Sequence, residues 1–150
     1  MTFILENNSS KYILRHKIGK GATCECYTGQ SIKDQSSEIY AVKIFQEKSY
    51  EFYLNEVSFL SKLKKNNSFI KLYEYGQGML SLVDNDNDTT ENENLNKKNV
   101  YYQILEYANN GELKDYVKDV YSRISEKVSA KIFMKIVIGV KYLHDKYCPL

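Results

Sequence analysis

The chain has 150 residues, 43% of them hydrophobic, so it is long enough and apolar enough to bury one globular core. Its formal net charge of +2 argues against a dedicated role in binding nucleic acid or a membrane surface. The N-terminus lacks the basic flank of a signal peptide, and no hydrophobic run approaches the length that spans a bilayer. We therefore expect a cytoplasmic protein with neither a membrane nor a nucleic-acid partner.

The first structured feature is expected to be a glycine-containing hairpin. Residues 1–10 are predicted to be a short polar leader, and the alternating residues 12–18 then predict a strand. Gly19 and Gly21 follow, and a second extended run begins near Cys24. Because glycine has no Cβ, backbone N–H groups in such a turn can approach an anion such as a triphosphate.

The next strand carries a single lysine. Residues 38–45 alternate, so one face is predicted to hold Ile39, Ala41, Lys43 and Phe45, and the other Tyr40, Val42 and Ile44. A lysine on an otherwise small or apolar face needs a partner for its charge, and a phosphate is one such partner.

Together these two segments resemble a known family. Ile18-Gly-Lys-Gly21 followed by Tyr40-Ala-Val-Lys43-Ile is similar to the glycine-rich loop and third-strand lysine of eukaryotic protein kinases. The residues between them have the length and turn composition of a strand-to-strand connection. This sequence departs from the family pattern at three positions: the third glycine is Cys24, the loop-tip aromatic residue is Thr23, and the usual valine is Cys26.

Residues 49–65 have the periodicity of a helix with an acidic residue on its apolar face. The predicted apolar stripe consists of Phe52, Tyr53, Leu60 and Leu63, with Glu56 at its centre. Glu56 is either a solvated residue at the edge of the stripe or the partner of a buried cation. The kinase resemblance favours the second interpretation, because it implies the αC glutamate whose ion pair holds Lys43 against the phosphates.

Two further strands are predicted at residues 69–76 and 100–108, separated by a polar, acidic insertion at about 80–99 that we expect to be disordered. Asp84, Asp86 and Asp88 alternate in this insertion as they do in a calcium-binding EF-hand loop. The positions that require glycine and glutamate are Thr89 and Leu95, so a calcium site is not predicted.

The second of these strands leads into a turn at residues 109–111 and a short helix from Glu112 to about residue 120. Any strand–turn–helix junction has this pattern. The kinase resemblance implies a hinge, with Leu105 guarding the back of the adenine pocket and the Glu106 carbonyl and Ala108 amide offered to the adenine edge.

A long helix is predicted from a cap at Ser125 to about Tyr147. Its predicted buried stripe consists of Ile132, Phe133, Ile136, Val137, Val140 and Leu143. The resemblance makes this the helix that leads into the catalytic loop, which would begin just beyond Leu150.

The three cysteines, Cys24, Cys26 and Cys148, are an odd number in a chain without a secretory signal, so we expect reduced thiols. Two cysteines separated by one residue, without a second ligand pair, do not predict a metal site.

The sequence is therefore predicted to be α+β: a protein-kinase-like small lobe with a five-stranded antiparallel sheet and the αC helix over residues 11–108, and the hinge exit and first two helices of the large lobe over 109–150. The residues that the resemblance implies for nucleotide binding are Ile18, Gly19, Lys20, Gly21, Ala22, Thr23, Cys24, Cys26, Ala41, Lys43, Leu105, Glu106, Ala108 and Glu112.

The resemblance implies that Lys43 and Glu56 serve catalysis, that ATP is bound, and that the complete enzyme phosphorylates protein hydroxyls. Family frequency favours serine/threonine substrates. The ligands of Mg²⁺ would lie beyond Leu150, so we expect this chain alone to be inactive. The alternative is a non-catalytic, kinase-like binding or regulatory module.

Overall fold

The computed structural model describes residues 2–33, 37–63, 66–83, 97–119 and 124–147. Within these ranges the strands are β1 (Thr2–Glu6), β2 (Lys11–Lys20), β3 (Cys24–Ser31), β4 (Tyr40–Phe45), β5 (Leu72–Val83) and β6 (Lys97–Glu106). The helices are α1 (Tyr50–Leu63), which follows a single 3-10 turn, α2 (Leu113–Asp119) and α3 (Glu126–Tyr147). The chain divides into two units, Met1–Lys65 with Ile70–Tyr107, and Asn66–Phe69 with Ala108–Leu150.

The strands of the first unit form a closed antiparallel barrel in the order β1-β2-β3-β4-β6-β5. The prediction of a polar leader over residues 1–10 is wrong, because β1 pairs with both β2 and β5 and closes the barrel. Leu5 on this strand is 1% exposed. The described sheet accordingly has six strands where the sequence predicted five.

The inside of the barrel is filled by aromatic and aliphatic side chains from all the strands. The buried cluster consists of Leu5, Tyr12, Leu14, Tyr27, Tyr40, Val42, Ile44, Val100, Tyr102 and Ile104. The alternation predicted for β4 is confirmed, since Tyr40, Val42 and Ile44 point into this cluster while Ala41 and Lys43 lie on the outer face. This alternation fixes the side of the sheet on which the lysine lies.

Helix α1 packs on the outer face of the barrel through a second, smaller cluster of Phe45, Tyr53 and Val57. The predicted stripe is partly wrong: Phe52 is 62% exposed, and Val57 is buried in its place. Tyr53 and Val57 are four residues apart and therefore lie on the same helix face. Glu56 is adjacent to this face and half-buried.

Strands β5 and β6 extend further than the sequence predicted, to Val83 and from Lys97. Their pairing continues to the Ser81–Lys97 pair, so both ends of the predicted insertion at 80–99 belong to the sheet. The rest of the insertion, including the calcium-like aspartates, lies outside the described residues.

The second unit contains α2 and α3. Gly111 has a φ of 70° in the turn before α2, a conformation that favours glycine. The predicted cap of α3 is confirmed, because the Ser125 hydroxyl accepts a hydrogen bond from the backbone N–H of Val128. Gly139 on α3 is buried beside Phe69, whose ring lies 5.8 Å from that of Tyr142.

The stripe predicted to be buried on α3 is largely exposed. Phe133, Ile136, Val137 and Val140 are between 41% and 67% exposed. Of the described α3 residues, only Gly139 is fully buried. The amphipathic pattern of this helix therefore faces solvent in this chain.

Candidate nucleotide site

The outer face of the barrel brings strands β3, β4 and β6 into register around Lys43. Three rows of directly paired residues cross this face: Thr28–Ala41–Leu105, Cys26–Lys43–Gln103 and Cys24–Phe45–Tyr101. Paired residues in an antiparallel sheet point to the same side. Lys43 is therefore surrounded by small or apolar side chains and one amide.

Helix α1 supplies the partner for Lys43. The ammonium of Lys43 donates a hydrogen bond to Oε1 of Glu56 on this helix, and the two side chains form an ion pair. The side chains are 27% and 32% exposed, so the pair is partly shielded from water without being sealed from it. The Lys43 nitrogen also lies 6.0 Å from the centre of the Phe45 ring. The structure thus brings together the two residues that the sequence paired by resemblance.

The glycine turn joins β2 and β3 in a short, open connection. The backbone N–H of Gly21 donates to the carbonyl of Cys24 at 2.9 Å, and Gly19 pairs with Cys26. A Cβ added at Gly19 would lie 3.7 Å from the Cβ of Cys26, an ordinary contact, so the fold itself does not require glycine there. Of the residues predicted to cover phosphates, 19–24, the first four are exposed, whereas Thr23 and Cys24 are half-buried.

An acidic residue that the sequence pattern does not single out pairs with two lysines of β2. Glu25 on β3 accepts from Lys17 at 2.6 Å and lies 3.8 Å from Lys20. The Tyr27 hydroxyl also donates to it at 2.7 Å. Hydrogen bonds from Lys17 and then Tyr27 hold the pKa of the Glu25 carboxyl below its ordinary value. The carboxylate therefore stays charged and orders the hairpin next to the candidate site.

The two cysteines of β3 are part of the outer face and have different surroundings. Cys24 packs against the cluster formed by Phe45, Tyr53 and Val57. Burial raises the pKa of the Cys26 thiol, and the charge of Lys43 only partly opposes this. Cys26 is accordingly a neutral thiol at pH 7, which presents a small, weakly polar surface beside Lys43.

The end of β6 contains two of the predicted hinge residues. Leu105 is 6% exposed and lies at the β6 end of the first row. The Glu106 N–H donates to the carbonyl of Lys71 at 2.9 Å, and its carboxylate accepts from the Lys71 N–H at 3.1 Å. Ala108 and Glu112 belong to the second unit, where both are exposed and Glu112 pairs with Lys114 at 2.7 Å.

The donor set on the outer face fits a polyphosphate. An ammonium has three N–H donors, and among the described contacts Lys43 uses one of them, on Glu56. The exposed glycine turn is joined to the same face through the Gly19–Cys26 pair, and Ala41 leaves room on the strand beside Leu105. A further cleft of about 840 Å³, bounded by Asn7, Tyr75 and Lys97 among others, is lined by none of the predicted nucleotide-binding residues.

One buried side chain on this face was not identified from the sequence. Gln103 is 0% exposed, and neither its Oε1 nor its Nε2 has a hydrogen-bond partner among the described residues. The alternating pattern around it, Tyr102 inward and Tyr101 outward, places it on the outer face but does not indicate burial. No group of three or more His, Cys, Asp or Glu side chains in the described part of the chain could hold a metal ion.

The family profile described as "Protein kinase domain" matches residues 12–148. The chain belongs to the protein kinase family. "Serine/threonine-protein kinase PLK4" of Drosophila persimilis is 28% identical over 142 residues, a match that covers 90% of this chain and 15% of that protein. "CBL-interacting protein kinase 1" of Oryza sativa subsp. japonica is 35% identical over 69 residues, which cover 46% of this chain and 15% of that protein.

A solved kinase structure has the same fold. The match to Rad53 1-466 in complex with AMP-PNP has a TM-score of 0.61 at 20% identity and covers 91% of this chain and 30% of that one. The predicted kinase small lobe followed by the first helices of the large lobe is therefore confirmed, with β1 as an additional strand. The chain spans about 15% of the curated kinases quoted above. In the described ranges no helix is long and apolar enough to cross a membrane.

Proposed function

We propose that this chain forms the ATP-binding part of a protein kinase that phosphorylates serine or threonine hydroxyls of proteins. The observation that carries the proposal is the Lys43–Glu56 pair on the outer face of the barrel, next to the glycine turn. The name of the Drosophila persimilis relative, "Serine/threonine-protein kinase PLK4", supports the serine/threonine assignment. Bound ATP supplies the phosphoryl group that such an enzyme transfers.

The residues of this chain would bind and orient the nucleotide. Lys43 directs its unused N–H donors at phosphate oxygens and offsets their charge, while Glu56 keeps the ammonium in place. The backbone of residues 19–24 covers the phosphates. Ala41, Cys26 and Leu105 offer apolar contacts to the adenine, with the backbone of Glu106 at its edge.

Phosphoryl transfer needs further groups besides these. The 150-residue sequence contains neither the H-R-D nor the D-F-G motif with which the family binds Mg²⁺ and accepts the substrate proton. We therefore propose that the 150-residue chain alone transfers no phosphate. Radiolabelled phosphate transferred to a generic protein substrate by this chain, and lost with Lys43→Met, would contradict the proposal.

Titration with ATP tests the binding function directly. Removing a charged hydrogen bond costs about 1.5–3 kcal/mol, so Lys43→Met should weaken ATP binding by roughly ten- to a hundredfold. Lys98→Met, an exposed lysine on β6, is the matched control and should leave the affinity unchanged. Equal affinities for all three proteins, or no ATP binding by the unaltered protein, would instead favour the non-catalytic kinase-like module.

A further inference from the structure

Gln103 lies directly beside the ion pair of the candidate site. It is the residue of β6 that pairs with Lys43 of β4, and on its other side it pairs with Tyr75 of β5. Side chains at such positions share a face, with Cβ atoms about 4.5–5.5 Å apart. The fully buried amide therefore lies within one side-chain length of the Lys43 ammonium.

The isolation of this amide is energetically unfavourable. Both of its polar atoms are shielded from water and lack partners among the described residues. A buried primary amide without hydrogen bonds is destabilising compared with an apolar residue of the same volume. The neighbouring outward positions on β6, Tyr101 and Leu105, show that apolar residues are accommodated on this face. A partner in a second arrangement of the site would explain the amide.

The Lys43–Glu56 pair has unused hydrogen-bond donors and an acceptor that complement the groups of the amide. In the described contacts, Lys43 donates one of its three N–H groups, and Oε2 of Glu56 accepts no hydrogen bond. The amide has one acceptor oxygen and two N–H donors. Rotation about the Gln103 side-chain torsions is enough to direct these groups towards the pair, because the backbones are already in register.

We propose that Gln103 is a positioning residue for Lys43, whose amide forms the third member of the Lys43–Glu56 pair. In this arrangement Oε1 accepts from the Lys43 ammonium and Nε2 donates to the free oxygen of Glu56. The amide thereby fixes the direction of the ammonium from the floor of the site. Its effect on nucleotide binding rests on the proposed function, whereas its hydrogen bonding to the pair does not.

Thermal unfolding of the complete protein tests the hydrogen bonds without nucleotide. Gln103→Met keeps the volume and removes the amide. It should lower the melting temperature of the unaltered protein by a few degrees and should not lower that of a protein that carries both Lys43→Met and Glu56→Met, because both hydrogen-bond partners of the amide are then gone. Gln77→Met, an exposed glutamine on β5, is the control and should change neither background.

The opposite result is equally clear. If the amide bonds to no protein group, or only to a trapped water, Gln103→Met should shift the melting temperature equally in both backgrounds. That result would overturn the proposal. Gln103→Leu repeats the test with a different apolar shape. If both variants fail to fold only when Lys43 and Glu56 are present, the coupling is supported. If they fail in both backgrounds, it is overturned.

ATP titration then tests the positioning role. Gln103→Met should weaken ATP binding about three- to tenfold in the unaltered protein and cause no further loss after Lys43→Met, a coupling that a purely structural residue would not show. Unchanged affinity in the unaltered protein would overturn the positioning role. If the unaltered protein binds no ATP, the proposed function fails, and the unfolding comparison still decides whether Gln103 belongs to the pair.

Discussion

At the residue scale, the defining contact is the one between Lys43 on β4 and Glu56 on α1, two elements that meet only because the barrel and its helix pack together. In the complete kinase, Lys43→Ala and Glu56→Ala should each lower kcat/KM strongly. Because the glutamate acts through the lysine, the double variant should be little worse than Lys43→Ala alone.

Steady-state kinetics of the three variants with a protein substrate provide the measurement. Replacing Glu51, an exposed acid in the first turn of the same helix, is the matched control and should leave kcat/KM unchanged. Losses that multiply in the double variant would show that Lys43 and Glu56 act independently.

Cys24 occupies the position of the family's third glycine, and its packing indicates a structural role. Its side chain contacts the cluster of Phe45, Tyr53 and Val57. Cys24→Gly removes this contact and adds backbone freedom, so it should lower the free energy of unfolding by about 1–2 kcal/mol. Ala22→Gly, in the exposed turn, controls for backbone freedom alone. Equal losses in the two variants, measured by denaturant unfolding, would mean that the thiol contributes no packing.

The residues of the candidate site differ in how readily they can be predicted from the sequence. Lys43 and Glu56 could be predicted, because each is a charged residue at the centre of an apolar face. Gln103 and Glu25 could not, because their significance depends on cross-strand neighbours that are distant in sequence. The burial of Gln103 and the two lysines around Glu25 follow from strand register and packing.

At the element scale, a carboxylate on β5, the strand beside β1, joins the β1–β2 turn to side chains of β2 and β6. Glu74 on β5 accepts hydrogen bonds from Tyr102 at 2.5 Å, Asn7 at 2.6 Å, Tyr12 at 2.8 Å and Ser10 at 2.9 Å. Burial alone would raise the pKa of Glu74, but these donors outweigh it and hold the pKa below its ordinary value. The ionised form is therefore the one that stabilises the barrel.

This network predicts a pH-dependent stability. A carboxyl whose pKa is lower in the folded state contributes fully above its unfolded pKa of about 4.3, and this contribution is lost as the pH falls through the folded pKa. At pH 7, Glu74→Gln should therefore lower the free energy of unfolding by about 2 kcal/mol, and the difference should shrink towards pH 2–3. Glu6→Gln, which removes an exposed pair with Lys11, is the control for surface charge.

Urea unfolding of the three proteins at pH 7 and pH 3 measures both effects. A difference between the unaltered protein and Glu74→Gln that stays constant with pH would show that the carboxylate charge does not contribute through this network.

Strand β1 shows where reading elements from the sequence fails. Its five residues are followed by a polar run at residues 7–10, which suggested a leader. The strand exists because β2 and β5 leave two edges that β1 pairs with simultaneously, a condition set by the whole barrel. By contrast, β4, α1 and α3 were found within a few residues of their ends, since periodicity and caps are local signals.

Leu5 provides the matching test of β1. It is 1% exposed inside the barrel, so Leu5→Ala should lower the free energy of unfolding by about 2–5 kcal/mol. Phe3→Ala, on the same strand but only partly buried, should cost clearly less. Small and equal losses in the free energy of unfolding, measured by chemical denaturation, would show that residues 1–10 behave as a leader and do not stabilise the barrel.

At the scale of the whole molecule, much of the apolar surface of this chain lies outside its two cores. Seven exposed large hydrophobic residues belong to α3: Val128, Phe133, Met134, Ile136, Val137, Ile138 and Val140. Phe52, Leu54 and Phe59 add to this on α1. So many exposed apolar side chains on one helix are unusual on soluble monomers, and large apolar patches promote association.

We therefore expect the 150-residue chain by itself to self-associate and to unfold without a sharp transition. Phe133→Lys and Ile136→Lys together should reduce association, because they place charges within the exposed apolar face of α3. Ser129→Lys adds charge to the same helix at a polar position and is the control. Sedimentation velocity over a range of concentrations measures the association, and differential scanning calorimetry the transition. A monodisperse monomer that melts cooperatively would show that this face is tolerated in water, and would strengthen the case for a stand-alone kinase-like module.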